Sequence, residues 1–269
     1  MEETFSVVKS LHAKVLCILG ACALVIGAIP SALLAQQPAA PQPSQHIDPR
    51  ARQMLDRAIQ ALGGQAFLNA KSLTTKGRAF FFQDGNTTGM EPYESYVQYP
   101  EKRRFSYGKT KPVILINNGE KGWELDRYGL IEQPDQQLQG WILSTRYSIE
   151  NLLRLRINEP GVLIQMGKAD FVDNEPTQGI EIIAPGGTSA RPDLHRQTFI
   201  PSHITYRVRN VKEEAWDDYS DAYADYRTID GIQTPMHVTR YLNGDRIGET
   251  FRNIAKYNEE YPPNYFTPE

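Results

Sequence analysis

Four dipeptides, Asp84-Gly85, Asn118-Gly119, Asp230-Gly231 and Asn243-Gly244, each stand between stretches in which apolar and polar residues alternate. This pairing is the strongest short-range signature of a β-hairpin. Asn-Gly and Asp-Gly tolerate the positive φ of tight turns, and a period of two gives each flanking strand one buried face. In Thr74 to Phe82, Gly77, Ala79 and Phe81 alternate with Lys76, Arg78 and Phe80, so the first set is assigned inward. In Ser202 to Asn210, Ile204, Tyr206 and Val208 alternate with Thr205, Arg207 and Arg209. Further strand segments are Tyr93 to Tyr99, Lys102 to Tyr107, Pro112 to Asn117, which is apolar on both faces through Val113, Ile114, Leu115 and Ile116, the stretch around Trp123 and Leu125, Val162 to Asp173, Gln178 to Ala184, Trp216 to Thr228, Thr234 to Leu242 and Ile247 to Tyr257. With hairpin-length connections, about eleven strands make an antiparallel meander, and so many twisted strands curl.

Two segments break the pattern. Asp48-Pro49 reads as an N-cap and first-turn proline. Met54, Leu55, Ala58, Ile59 and Leu62 then recur at helical spacing until Gly63-Gly64 ends the helix, and a short turn over Gln65 to Ala70 follows. From Pro134 to Arg156, Leu138, Trp141, Ile142, Thr145, Ile149, Leu152 and Leu153 form one apolar stripe. Gly140 and the off-stripe Leu143, Tyr147 and Leu155 predict a break between Gly140 and Ser144, or a contact on the helix's second side. The fold class is therefore mainly β: a strongly curved antiparallel sheet of about eleven strands, a half-open barrel, with an N-terminal helix and a mid-chain helix covering its concave face.

Residues Val15 to Ala35 carry no charge and follow Lys9 and Lys14, and Leu33-Leu34-Ala35 before Gln36 resembles a signal-peptidase site. Export to the periplasm with cleavage after Ala35 ranks first, an uncleaved membrane anchor second and lipidation at Cys22 third. Residues 36–47, rich in proline, glutamine and alanine, read as a tether, and residues 48–269 as one domain. Both cysteines, Cys17 and Cys22, fall in the leader, so the mature domain must fold on its core alone. A net charge of -3 without a concentrated basic face argues against nucleic acid.

Catalytic patterns are missing from the sequence. His195, His203 and His237 lack metal-site spacing, and neither G-x-S-x-G, a Walker A motif nor G-x-G-x-x-G occurs. The acids Asp217, Asp218, Asp221 and Asp225 lack the order of a calcium loop and read as a solvated strand face. No enzyme activity, cofactor or metal is expected.

The opening helix with Ala61-Leu62-Gly63-Gly64, then Lys71-Ser72-Leu73, and Gly119-Glu120-Lys121-Gly122-Trp123 form one group of motifs. Tyr223-Ala224-Asp225-Tyr226-Arg227 with Asp230-Gly231-Ile232 and Pro235, and the tail from Tyr257-Asn258 to Phe266-Thr267-Pro268, form another. Together with the order of elements, these residues resemble the bacterial lipoprotein-carrier superfamily (LolA-like), in particular its divergent outer-membrane lipoprotein-sorting proteins. The resemblance implies an unclosed barrel sheltering acyl chains in the periplasm. Arg78, Arg103 and Arg104 all lie on candidate strands, and none is matched to the gating arginine of the lipoprotein carrier. Pro185 to Leu194 reads as an insertion.

One helix stripe cannot fill the hollow of eleven curled strands, so leftover apolar space is expected. Phe81, Leu115, Trp123, Trp141, Ile142, Ile149 and Leu152 are the candidate lining. The expected partners are lipid or lipoprotein acyl chains and a membrane-bound donor or acceptor protein, the protein itself being a monomer. The alternative is a non-catalytic envelope interaction or sensor module of the same fold with a filled core.

Overall fold

The backbone adopts at three of the four dipeptides what a hairpin of primed-turn type requires. Asp84 and Gly85, Asp230 and Gly231, and Asn243 and Gly244 all have φ between 50° and 88°. At the fourth, the register Asn118↔Lys121 moves the turn one residue on, to Gly119 and Glu120, and only Gly119 has positive φ. The computed structural model describes residues 46–210 and 214–268. The leader, its cysteines and most of the tether lie outside the described residues.

Two helices open the described chain, α1 (Pro49–Leu62) and α2 (Gln65–Asn69). Six strands follow: β1 (Ser72–Gln83), β2 (Asn86–Gln98), β3 (Lys102–Tyr107), β4 (Val113–Asn118), β5 (Lys121–Asp126) and β6 (Gly129–Glu132). Next come α3 (Asp135–Arg146), α4 (Ile149–Arg154) and a 3-10 turn over Arg156–Asn158. The chain continues as β7 (Leu163–Val172), β8 (Glu175–Ile183), β9 (Ser189–His195), β10 (Pro201–Asn210), β11 (Ala215–Ile229), β12 (Ile232–Leu242) and β13 (Asp245–Tyr257).

All thirteen strands form one antiparallel sheet, in the order β6-β5-β4-β3-β2-β1-β13-β12-β11-β10-β9-β8-β7. The two ends do not pair, so the sheet is an open half-barrel. The count exceeds the expected eleven by β6, which has only 4 residues, and β9. β9 falls almost wholly in Pro185 to Leu194, the stretch that reads as an insertion against the LolA-like pattern, and its Pro192 cannot donate to a ladder. In the structure Pro192 sits opposite Ile204 of β10, while the pairing with β8 lapses between Gly179↔Asp193 and Ile182↔Ala190.

Alternation divides the sheet into an inner face, which carries the helices, and an outer face. On the inner face α1 and α4 pack over β7 to β12, burying Leu55, Leu62, Leu152, Ile164, Ile180 and Ile204 to 1% exposure or less. Asp48 caps α1 by accepting from the Arg50 N–H at 2.8 Å. Ile47, at the end of the expected tether, forms a parallel bridge with Ile164 on the edge strand β7. The outer face of β1 to β3 is covered by the C-terminal tail: the Tyr261 hydroxyl lies 2.8 Å from Thr74 Oγ1, and the Tyr265 ring meets Tyr96 edge-on at 5.2 Å.

The mid-chain helix is broken, and the break lies at Tyr147 and Ser148 rather than between Gly140 and Ser144. Ser148 takes an extended conformation and its hydroxyl accepts from the Asn151 N–H at 3.2 Å, starting a second helix. Asn151 Nδ2 then ties the corner to the carbonyls of Thr145 (2.9 Å) and Pro100 (2.8 Å). The two halves differ in burial. The six residues of α4 bury Ile149, Asn151, Leu152 and Leu153, whereas the twelve of α3 bury only Trp141 and Ser144.

A bulge between Lys76 and Gly77 bends β1 against β13. A Cβ on Gly77 would stand 1.9 Å from the Phe251 carbonyl oxygen. Gly77→Ala is therefore expected to cost about 2 kcal/mol through overpacking, lowering the melting midpoint by about 6 °C in thermal denaturation. An unchanged midpoint would show that the bulge can slide to make room.

Candidate functional site

The helices leave part of the inner face uncovered. Along β1, β2, β3, β12 and β13 lies a cavity of about 350 Å³, into which Phe81, Tyr93, Phe105, Val238, Arg103 and Arg240 project. Arg103 on β3 and Arg240 on β12 are four strand steps apart, about 19 Å in a flat sheet. That both line one space is a consequence of the curl.

The aromatic wall is continuous. The Tyr93 and Phe105 rings stack at 5.4 Å, Phe105 meets Tyr107 at 5.9 Å, and Tyr107 meets Phe81 at 5.2 Å. Trp141 of α3 lies beside the lining residue Arg103, its ring centre 6.0 Å from the guanidinium. The three arginines of the cavity are held differently. Arg240 makes a two-pronged ion pair with Asp221, at 2.7 and 2.9 Å, and Asp221 is 2% exposed. Arg252 donates to the Pro235 carbonyl at 2.9 Å. Arg103 has one hydrogen bond, a long one of 3.3 Å to Asn117 Oδ1, and no described carboxylate within ion-pair distance. Burial and the positive charge of Arg240 push the Arg103 guanidinium down to about 9. It stays charged at neutral pH, at a cost. Its Nε and the Trp141 indole Nε1 are both buried donors without acceptors.

A wider depression of about 790 Å³ lies around Thr205, Arg207, Asp218 and Arg191. Thr205, Arg207 and Asp218 belong to the outer face, and the charges here are already matched: Arg207 with Asp218 at 2.6 Å, Arg191 with Asp193 at 2.7 Å. With its arginines paired and most of its charged lining on the outer face, it offers no apolar hollow, so the smaller, aromatic-walled inner cavity is the candidate site.

This architecture is shared with solved structures. A DUF1329 family protein from Desulfovibrio piger superposes with a TM-score of 0.54 at 9% identity, covering 80% of this chain and 96% of that one. A putative outer membrane lipoprotein-sorting protein domain from Vibrio parahaemolyticus gives 0.52 at 10% identity, over 81% and 97%. A LolA superfamily protein from Nitrosomonas europaea gives 0.51 at 13% identity, over 81% and 97%. The fold is LolA-like. No protein-family model matches the sequence, and no curated protein matches it either.

The seven residues expected to line the LolA-like hollow fall into four groups. Phe81 lines the cavity, Trp141 lies against the lining residue Arg103, and Leu115 lies one strand beyond Phe105 on the same face. Ile142 is half-buried on α3. Ile149 and Leu152 sit instead in the close-packed core beneath α1 and α4. Trp123 pairs with Ile116, and through Arg104 and Tyr96 that row belongs to the outer face under the tail. The strand period of two puts it opposite Leu115, whose partner on β5 is Glu124.

Asp221 also differs from expectation, being a buried ion-pair partner rather than part of a solvated face. Asp217 and Asp218 are held by Asn210, Asn243 and Arg207, and among the described residues no group of acids or histidines could hold a metal ion. His195 and His237 are engaged separately, with Glu175 at 3.2 Å and Glu249 at 2.7 Å. The cationic side of the hollow went unread in the sequence. One signal for it exists: in Thr234 to Leu242, Arg240 falls between Val238 and Leu242 on the inward set.

Proposed function

We propose that this protein is an exported, periplasmic binding protein or carrier that holds an acyl chain of a lipid or lipoprotein in the hollow beneath α3. The observation that carries the reading is the aromatic-walled cavity of about 350 Å³, within the roughly 300–1,000 Å³ common for small-molecule sites, whose lining residue Arg103 lies against Trp141 of α3, the less buried of the two mid-chain helices. Each methylene transferred from water contributes about 0.8 kcal/mol, so a chain of a dozen carbons binds without a polar contact along its length. The closed state is held through the buried Trp141 beside Arg103, the Gln137 amide donating to Glu124 at 3.1 Å and the Arg146–Glu159 ion pair at 3.2 Å. Cargo enters when α3 swings about the Tyr147–Ser148 corner while α4 stays in the core. A membrane-bound donor or acceptor protein supplies or receives the chain.

The names of two structural neighbours, a lipoprotein-sorting domain and a LolA superfamily protein, agree with such a role. The packed half of the hollow, beneath α1 and α4, is what favours the second reading, an envelope interaction or sensor module without cargo.

Mass spectrometry of the protein purified from exporting cells distinguishes the two. Extractable acyl chains are expected in the wild type, and a several-fold loss in Trp141→Glu and Ile142→Glu, with cooperative melting retained. Acyl chains kept by both folded variants, or a wild type that neither carries lipid nor binds an added long-chain amphiphile, would count against a carrier.

A further inference from the structure

An oily pocket needs no positive charge, yet this one has three arginines and too few acids to match them. Asp221 is committed to Arg240. Glu249, at the rim, is committed to His237 and Arg246. Glu150, on the first turn of α4, bears on Arg252 and the buried hydroxyls of Tyr99, Tyr226 and Tyr257, and Glu124, on the inner face of β5, accepts from the Gln137 amide of α3 at 3.1 Å; neither forms an ion pair with Arg103. Arg103 is left with a single long hydrogen bond to a neutral amide. A guanidinium has five N–H donors in a planar fork suited to carboxylate or phosphate oxygens. Beside it the Trp141 N–H points to no acceptor either. Buried donors left unmatched in this way cost free energy that an arriving anion returns.

We propose that the hollow selects single-chain amphiphiles with an anionic headgroup, the carboxylate or phosphate seated on Arg103 and the Trp141 indole N–H and the chain lying along Phe105, Tyr93 and Phe81. The inference rests on the carrier reading and adds the class of cargo. The cavity volume suits one slender chain rather than several. The anion also couples occupancy to the cover, since one of its two seats is on β3 and the other on α3. A headgroup bound between them holds α3 down, and a neutral chain lacks that tie.

The test uses displacement of a fluorescent apolar dye from the delipidated protein by dodecanoate, dodecyl phosphate and dodecanol, each below its micelle concentration. Dodecanoate and dodecyl phosphate are expected to bind about tenfold or more tightly than dodecanol, as a buried charge-assisted hydrogen bond implies. Inorganic phosphate alone should not displace the dye, because the headgroup contact without the chain is too weak; displacement by phosphate at similar concentration would make the site one for free anions and overturn the proposal. Arg103→Gln should bring the two anionic ligands down to the affinity of dodecanol while leaving dodecanol unchanged, and Arg103→Lys should restore part of the preference. Equal binding of dodecanoate and dodecanol by the wild type would overturn the headgroup assignment and leave the carrier reading standing. That comparison needs no variant to fold. Failure of all three amphiphiles to bind would overturn both.

Discussion

Exchange of Leu152 for aspartate is expected to leave no folded protein to assay. Leu152 is 0% exposed, on a short helix whose neighbours Ile149 and Leu153 are also buried, against Leu55 and Leu62 of α1 and the inner rows of β7 to β12. An unpaired carboxylate there costs several kcal/mol even after relaxation. Losing the leucine costs a further 2–5 kcal/mol or so, by analogy with truncation to alanine. Against a typical total stability of about 5–15 kcal/mol, the sum approaches or exceeds what the fold has. Circular dichroism of Leu152→Asp should show no cooperative transition, while Leu152→Ala should melt cooperatively, about 10 °C below the wild type. A Leu152→Asp protein that folds and melts near the wild type would mean that α4 is not part of the core. Under the proposed carrier function, Leu152 variants should report on stability and Trp141 variants on occupancy, although both lie on one sequence stripe. The break at Ser148 is what separates them.

That break shows how far local pattern reaches. The stripe from Leu138 to Leu153 gives the helical period and the side that is buried, and Gly140 draws attention as the weak point. What decides the matter is Ser148, whose hydroxyl satisfies the Asn151 N–H and begins a new helix, a competition a helical wheel does not record. Strands are legible where alternation is clean and the turn dipeptide is strong, as for β12 and β13 around Asn243-Gly244. They are illegible where neither signal is present, as in β9, whose approach is Pro185-Gly186-Gly187 and whose residues Ser189 to His195 do not alternate cleanly. Faces were readable one strand at a time: Gly77, Ala79 and Phe81 point inward as their alternation implies, and Ala79 and Phe81 line the cavity. Convergence was not readable, because Arg103 and Arg240 are 137 positions apart in the chain and meet only through the curl of the sheet. Trp123 shows the same limit from the other side. Its own hairpin is evident, but the face it takes follows from its row through Ile116, Arg104 and Tyr96, and the tail that covers Tyr96 and Arg104 returns from the far end of the sequence.

Removing the acid of the Arg240 pair is expected to produce the second large effect. Asp221→Ala leaves a guanidinium without its counter-charge in the same cavity as Arg103, and breaking a buried pair from one side typically costs about 3–5 kcal/mol. The melting midpoint should fall by roughly 10 °C at neutral pH in differential scanning calorimetry. Replacing both partners, Asp221→Leu with Arg240→Met, should recover most of that loss, since two well-packed apolar side chains avoid the desolvation of two charges. The double variant also separates structure from recognition. With Arg240 and Asp221 both gone, the net charge change at the pair is zero and Arg103 keeps its position, so the preference for dodecanoate over dodecanol should survive. If the preference vanished with this pair and not with Arg103, the anion would be read on β12 rather than on β3. A single Asp221→Ala variant melting within about 2 °C of the wild type would instead show that water reaches Arg240, and that the cavity is open on that side.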